Sequence, residues 1–164
     1  MRLEPLFSSL AARFQRVRSG LAVGFGDPAV LDALRSLRGG VWMSSDTPSD
    51  LPFEDVQFEV VVMDGCVVSR ENVREANRVL KPEGYLFFSV DEKTGKQLNG
   101  FTPPEIYRII REGFDIIELQ RPKWWTFGRM GRTLTVCARK KAWREHKGFM
   151  RGGNLPFTPF RSRT

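Results

Sequence analysis

The chain has 164 residues, of which 41% are apolar and 27% charged, an ordinary globular composition with length enough for a single well-filled core. Its longest apolar runs, such as Val60-Val61-Val62-Met63, fall far short of the ~20 residues that a membrane-spanning helix needs. Residues 1–20 mix four arginines with scattered apolar positions and lack the continuous apolar stretch of a secretory signal, so a cytoplasmic protein with no membrane partner is expected. The two cysteines, Cys66 and Cys137, have no C-x-x-C spacing, and both are predicted to be reduced core residues, not metal ligands or a disulfide. The net charge of +7 is unevenly spread. Residues 139–164 hold eight Lys and Arg against one acid, Glu145, so residues 1–138 sum to zero. This asymmetry predicts a body over 1–142 and a basic, aromatic-containing tail over 143–164.

In chain order, Leu3, Leu6, Phe7, Leu10, Phe14 and Val17 recur at spacings of three and four, which predicts an amphipathic helix ended by Gly20. Leu21-Ala22-Val23 is a short apolar strand running into Gly24-Phe25-Gly26. Asp27-Pro28 then offers an N-cap and first-turn proline for a helix closing at Gly39-Gly40. Val41-Trp42-Met43 is the next strand, and Phe58 to Met63 is apolar enough for the centre of a sheet. Helical periodicity returns over Ser69 to Leu80. Pro82 and Gly84 separate it from a buried strand over Tyr85 to Val90, and Pro103-Pro104 opens another helix. Strands over Phe114 to Leu119 and Arg132 to Ala138 close the body. This alternation predicts an α/β fold with an open, mostly parallel sheet of about six strands, the last reversed.

Two stretches resemble the class I S-adenosylmethionine-dependent methyltransferases. Leu51-Pro52-Phe53-Glu54-Asp55-Val56-Gln57-Phe58-Glu59-Val60-Val61-Val62 is similar to that family's approach to its fourth strand. Arg78-Val79-Leu80-Lys81-Pro82-Glu83-Gly84-Tyr85-Leu86 is similar to its passage into the fifth. The resemblance covers roughly residues 18–141 and implies a Rossmann-like fold, S-adenosylmethionine as cofactor and methyl transfer as activity. At the cofactor end the family spaces an acid and three glycines as D-x-G-x-G-x-G. Here Gly24 and Gly26 hold the first two glycine positions, while Ala22 replaces the acid and Pro28 the third glycine. Only 24 residues separate Gly26 from Leu51, room for one helix and one strand where a complete family member has two of each. A strand-helix unit is therefore expected to be missing.

The resemblance makes Gly24, Gly26 and Asp46 the cofactor-side residues, with Asp46 placed to hold the ribose hydroxyls; a solvated loop cap remains open for it. Asp64, after a central strand, is the acceptor-side base, or else a turn cap, because open α/β sheets present ligand groups at strand carboxyl ends. The one histidine, His146, lies in the basic tail and is expected to be solvated. Trp124, Trp125 and Arg129 form an aromatic and basic loop that either packs on the sheet or contacts a partner. With Arg151 and the tail aromatics it could present a surface to RNA, to a protein or to a second copy of the chain. Two functions follow from these residues. One is a working methyltransferase, and the other is a catalytically inactive protein of that fold that binds RNA or a protein partner through its tail.

Overall fold

Valine and phenylalanine runs too apolar for any surface build the middle of the molecule. In a computed structural model that describes residues 3–95, 98–121 and 132–142, β1 (Ser19–Val23), β2 (Val41–Ser45), β3 (Phe58–Met63), β4 (Leu80–Asp91), β5 (Phe114–Gln120) and β6 (Thr133–Lys140) form one sheet. Its order is β2-β1-β3-β4-β6-β5. The first four strands run parallel, and β6 lies antiparallel to both β4 and β5. The six strands and the reversed last strand agree with the sequence expectation.

Strand alternation assigns the two faces. Leu21, Val23, Val61, Met63, Leu86, Phe88 and Val136 face α3 (Arg70–Val79) and α4 (Pro103–Ile110), which contribute Val73, Ala76, Val79, Ile106 and Ile110. Ala22, Val60, Val62, Phe87 and Cys137 face α1 (Glu4–Arg13) and α2 (Pro28–Arg38), which contribute Leu6, Leu10, Val30 and Leu34. The result is a sheet with helices on both faces, as α/β connections require. Caps fix where the helices begin. Ser69 accepts from Asn72 N–H at the start of α3, and Thr102 with Glu105 forms a reciprocal capping box on α4.

Two sequence expectations need correction. The first helix ends at Arg13, and from Phe14 the chain is extended. The Phe14 ring packs edge-on against Tyr85 at 5.1 Å and near Phe87, so a tertiary contact overrides the helical spacing that Phe14 and Val17 continue. Gly20 terminates no helix. It lies inside β1, where a Cβ would stand 2.4 Å from the Trp42 ring, and its missing side chain is the seat of that buried tryptophan. The Lys81 to Gly84 segment is the expected turn, written into β4 as a bulge: the pairing steps from Phe58–Leu80 directly to Val60–Tyr85, with Glu83 at φ 62°. Between Gly26 and Leu51 there is one helix and one strand, α2 and β2, which leaves β2 at the edge of the sheet. No helix among the described residues is long and apolar enough to cross a membrane.

Candidate functional site

The parallel strands β1 and β2 end side by side, and their carboxyl ends open into a cleft. Ala22, Phe25, Gly26, Asp27, Pro28, Val30, Leu31, Ser44, Ser45 and Asp46 line about 160 Å³ there. This is where an open α/β sheet places ligands. Two of the sequence candidates meet here: Gly26 and Asp46 line the cleft, while Gly24 does not line it but is joined to the cleft residue Ser45 by its N–H donating to Ser45 O at 2.8 Å. Asp46 is exposed, free to turn its carboxylate to the cleft or to water.

The two glycines differ in their surroundings. Gly24 has φ +80° and a Cβ there would lie 2.8 Å from Val67 Cγ2; Gly26 has φ +62° and nothing within 4 Å of that position. Gly24 therefore serves internal packing, and Gly26 is the position that leaves room beside the backbone. The α2 terminus is closed from within. Pro28 has no N–H, Ala29 N–H donates to Asp27 Oδ1 at 2.9 Å, and Val30 N–H donates to Asp27 O at 3.1 Å. The Asp27 carboxylate thus stands where an anionic ligand would meet a helix N-terminus.

Asp64 lies at the carboxyl end of β3, almost buried, and does not line this cleft. Its N–H donates to Val23 O, and its Oδ1 accepts from Cys66 N–H at 2.9 Å, capping the short 3₁₀ turn Gly65–Val67. That turn rotates Cys66 out to solvent, which corrects the expectation that both cysteines are buried; Cys137 is buried, and burial pushes its thiol up to about 11. The Cys66 thiol is also held above its ordinary value, chiefly by the Asp64 charge beside it. Trp124, Trp125, Arg129 and Arg151 lie outside the described residues, as does His146.

Sequence reasoning missed Phe25, Leu31, Ser44 and Ser45 as cleft residues. Ser44 and Ser45 end β2 after its apolar Val41-Trp42-Met43 start, and that polarity change was the available signal. It also missed Glu92, buried just beyond β4, whose Oε1 accepts from Arg121 at 2.8 Å while Oε2 has no partner among the described residues. At the opposite, amino end of the sheet, Arg13, Phe14, Gln15, Arg16, Arg18, Gly40 and Val41 line an open groove of about 760 Å³. Arg13 shares Glu118 at 3.8 Å, while Arg16 and Arg18 form no ion pair with any described residue.

No protein-family model matches the sequence, and no curated protein matches it. Solved structures do match. One is the 1,6-didemethyltoxoflavin-N1-methyltransferase of Burkholderia thailandensis with bound 1,6-didemethyltoxoflavin and S-adenosylhomocysteine, 20% identical, covering 85% of this chain and 78% of that one at a TM-score of 0.64. Another is the N-methyltransferase NodS of Bradyrhizobium japonicum in complex with S-adenosylhomocysteine, 14% identical, covering 80% of this chain and 84% of that one at 0.61. A third comes from a complex between the Trm112 methyltransferase activator and a candidate methyltransferase of Haloferax volcanii, 15% identical, covering 85% of this chain and 91% of that one at 0.64. At such identities the likeness establishes the fold alone: this chain has the Rossmann-type α/β fold seen in those structures.

Proposed function

We propose that the cleft between β1 and β2 holds the adenosyl group of S-adenosylmethionine or its demethylated product, and that the chain is an S-adenosylmethionine-dependent methyltransferase-like protein. The observation that carries this reading is the convergence of Gly26, Ser44, Ser45 and Asp46 on one cleft at the carboxyl ends of two parallel strands. Asp46 accepts from the ribose hydroxyls, the Phe25 and Leu31 side chains flank the base, and Gly24 and Gly26 shape the loop between them. Asp64 is the acceptor-side base. The residues fit the cofactor at its nucleoside end only. Ala22 is an apolar core residue where the family resemblance calls for an acid, and α2 offers no unpaired first-turn donor, so no transfer step is derived through the bound cofactor.

Isothermal titration with S-adenosylmethionine and S-adenosylhomocysteine tests the reading. Binding that weakens roughly tenfold in Asp46→Asn, the size of one lost hydrogen bond to a charged group, supports it. No heat with either ligand overturns it.

A second reading, a catalytically inactive protein of this fold that contacts RNA through its basic parts, is favoured by the groove in which the Arg16 and Arg18 guanidinium groups form no ion pair with a described residue, and by the net charge of +7 over residues 139–164. Contacts to phosphates would give single-stranded RNA binding a logarithmic salt slope of about −0.7 per phosphate neutralised. Deleting residues 143–164 should then lower both affinity and slope. Unchanged values would remove the tail from that role, and lost thermal stability or dimerisation would instead place the tail against the body or a second copy.

A further inference from the structure

The cleft differs from a site for a whole amino-acid-bearing cofactor in three independent respects. The first is size. Its ~160 Å³ falls below the roughly 300–1,000 Å³ of sites that enclose a drug-sized ligand, and suits only part of such a molecule. The second is charge. Asp27 and Asp46 both line it, and among the described residues no Lys, Arg or His does, so an anionic substituent meets two carboxylates that no described cation offsets. The third is the supply of donors. A helix N-terminus attracts anions through unpaired N–H groups, but the first turn of α2 has lost one to Pro28 and spends those of Ala29 and Val30 on Asp27. Gly24 N–H is likewise committed to Ser45 O, and the Val67 side chain occupies the space beside Gly24.

From these we infer that the cleft selects an adenosine-type nucleoside, uncharged or cationic, and offers a carboxylate or phosphate substituent neither a described cation nor a first-turn donor of α2, so that the amino-acid end of the cofactor adds no affinity. The inference rests on the adenosyl reading above and narrows it to a ligand class. Hydroxyls of the sugar are the groups the site can use, since Asp46 accepts from them and the Ser44 hydroxyl can both donate and accept, the Ser45 hydroxyl already donating to Thr47 O at 3.0 Å. Phe25, Val30 and Leu31 supply the apolar walls for a base.

The test is isothermal titration of the full chain with adenosine, S-adenosylhomocysteine and adenosine monophosphate. Adenosine and S-adenosylhomocysteine should bind with dissociation constants within about threefold of one another, and the monophosphate about tenfold or more weakly. Asp27→Asn removes one charge while keeping a good N-cap, and should bring the monophosphate towards adenosine. S-adenosylhomocysteine binding about tenfold more tightly than adenosine would overturn the inference and leave the adenosyl reading standing. Equal binding of the monophosphate and adenosine in the wild-type chain would overturn the charge argument and the inference with it. Failure of all three ligands to bind would remove the adenosyl reading itself, a result distinct from the other two.

Discussion

Replacing Gly24 and Gly26 singly with alanine separates a glycine needed for packing from one needed only for its backbone angle. Both have positive φ, +80° and +62°, which for a residue with a Cβ costs about 1–2 kcal/mol. Only at Gly24 does the new methyl meet a neighbour, 2.8 Å from Val67 Cγ2 and 3.0 Å from Cγ1. Because Val67 is β-branched and stiff at χ1, overpacking adds about 1–3 kcal/mol there. Gly24→Ala should therefore destabilise by about 2–5 kcal/mol in total and Gly26→Ala by about 1–2. For a chain of this length each kcal/mol lowers Tm by about 2–4 °C, so thermal unfolding followed by circular dichroism resolves the two. The double variant Gly24→Ala/Val67→Ala should regain the packing part, with a coupling energy of about 1 kcal/mol or more. Equal, mild effects at both glycines, or no coupling to Val67, would refute the assignment of Gly24 to internal packing.

Asp64→Asn removes the charge that holds the exposed Cys66 thiol up, so alkylation by iodoacetamide near pH 8 should become several-fold faster, thiolate being the reactive form; an unchanged rate would show that the two side chains do not interact. Glu75 is held below its ordinary carboxylate range first by the Arg78 guanidinium, at 3.0–3.1 Å, with Leu51 N–H donating to it as well. Its folded value being depressed, its stabilisation is present above the unfolded value near 4.5 and is lost as pH falls below that. Urea titrations from pH 6 to pH 3 should accordingly lose less stability in Glu75→Gln than in wild type, and parallel curves would argue against the pair. Gly20→Ala should be among the most damaging alanine substitutions because the Trp42 ring lies 2.4 Å from the added carbon, a clash expected to cost about 3 kcal/mol; a Tm within a degree or two of wild type would contradict the packing.

What could be read from the sequence follows what each feature depends on. The central strands were legible because a strand buried on both faces must be apolar at nearly every position, as Val60 to Met63 and Leu86 to Phe88 are. That the stretch between Gly26 and Leu51 holds one helix and one strand was legible by counting, since 24 residues cannot hold two of each. Features set by distant neighbours were not. Nothing local distinguishes Phe14 as the point where the first helix stops, because its partner Tyr85 lies 71 positions on in sequence. Gly20 reads as a helix stop until Trp42 is seen across the parallel pair at the same register. Cys66 reads as core until Asp64 caps a 3₁₀ turn beneath it. At the candidate site, Gly24 and Gly26 could be nominated from the family resemblance and Asp46 from its place just beyond a strand. Their separate duties could not, for these depend on Val67 and on the first turn of α2.

The place of β2 at the end of the sheet order bears on how that edge survives. With β1 on one side of β2 only, Trp42 and Ser44 direct backbone groups outward, an arrangement that invites pairing with another chain. Here the strand is short, five residues, and the Arg35 guanidinium reaches from α2 to donate to Trp42 O at 3.2 Å. The Trp42 indole is itself anchored, its Nε1 donating to Gly39 O at 2.8 Å. Only Val41, 67% exposed, and Met43, 40% exposed, remain as apolar surface on the strand. A short strand, one guanidinium and one buried ring therefore close the edge without a further strand. Ser44 and Ser45, which line the cleft, belong to this same strand.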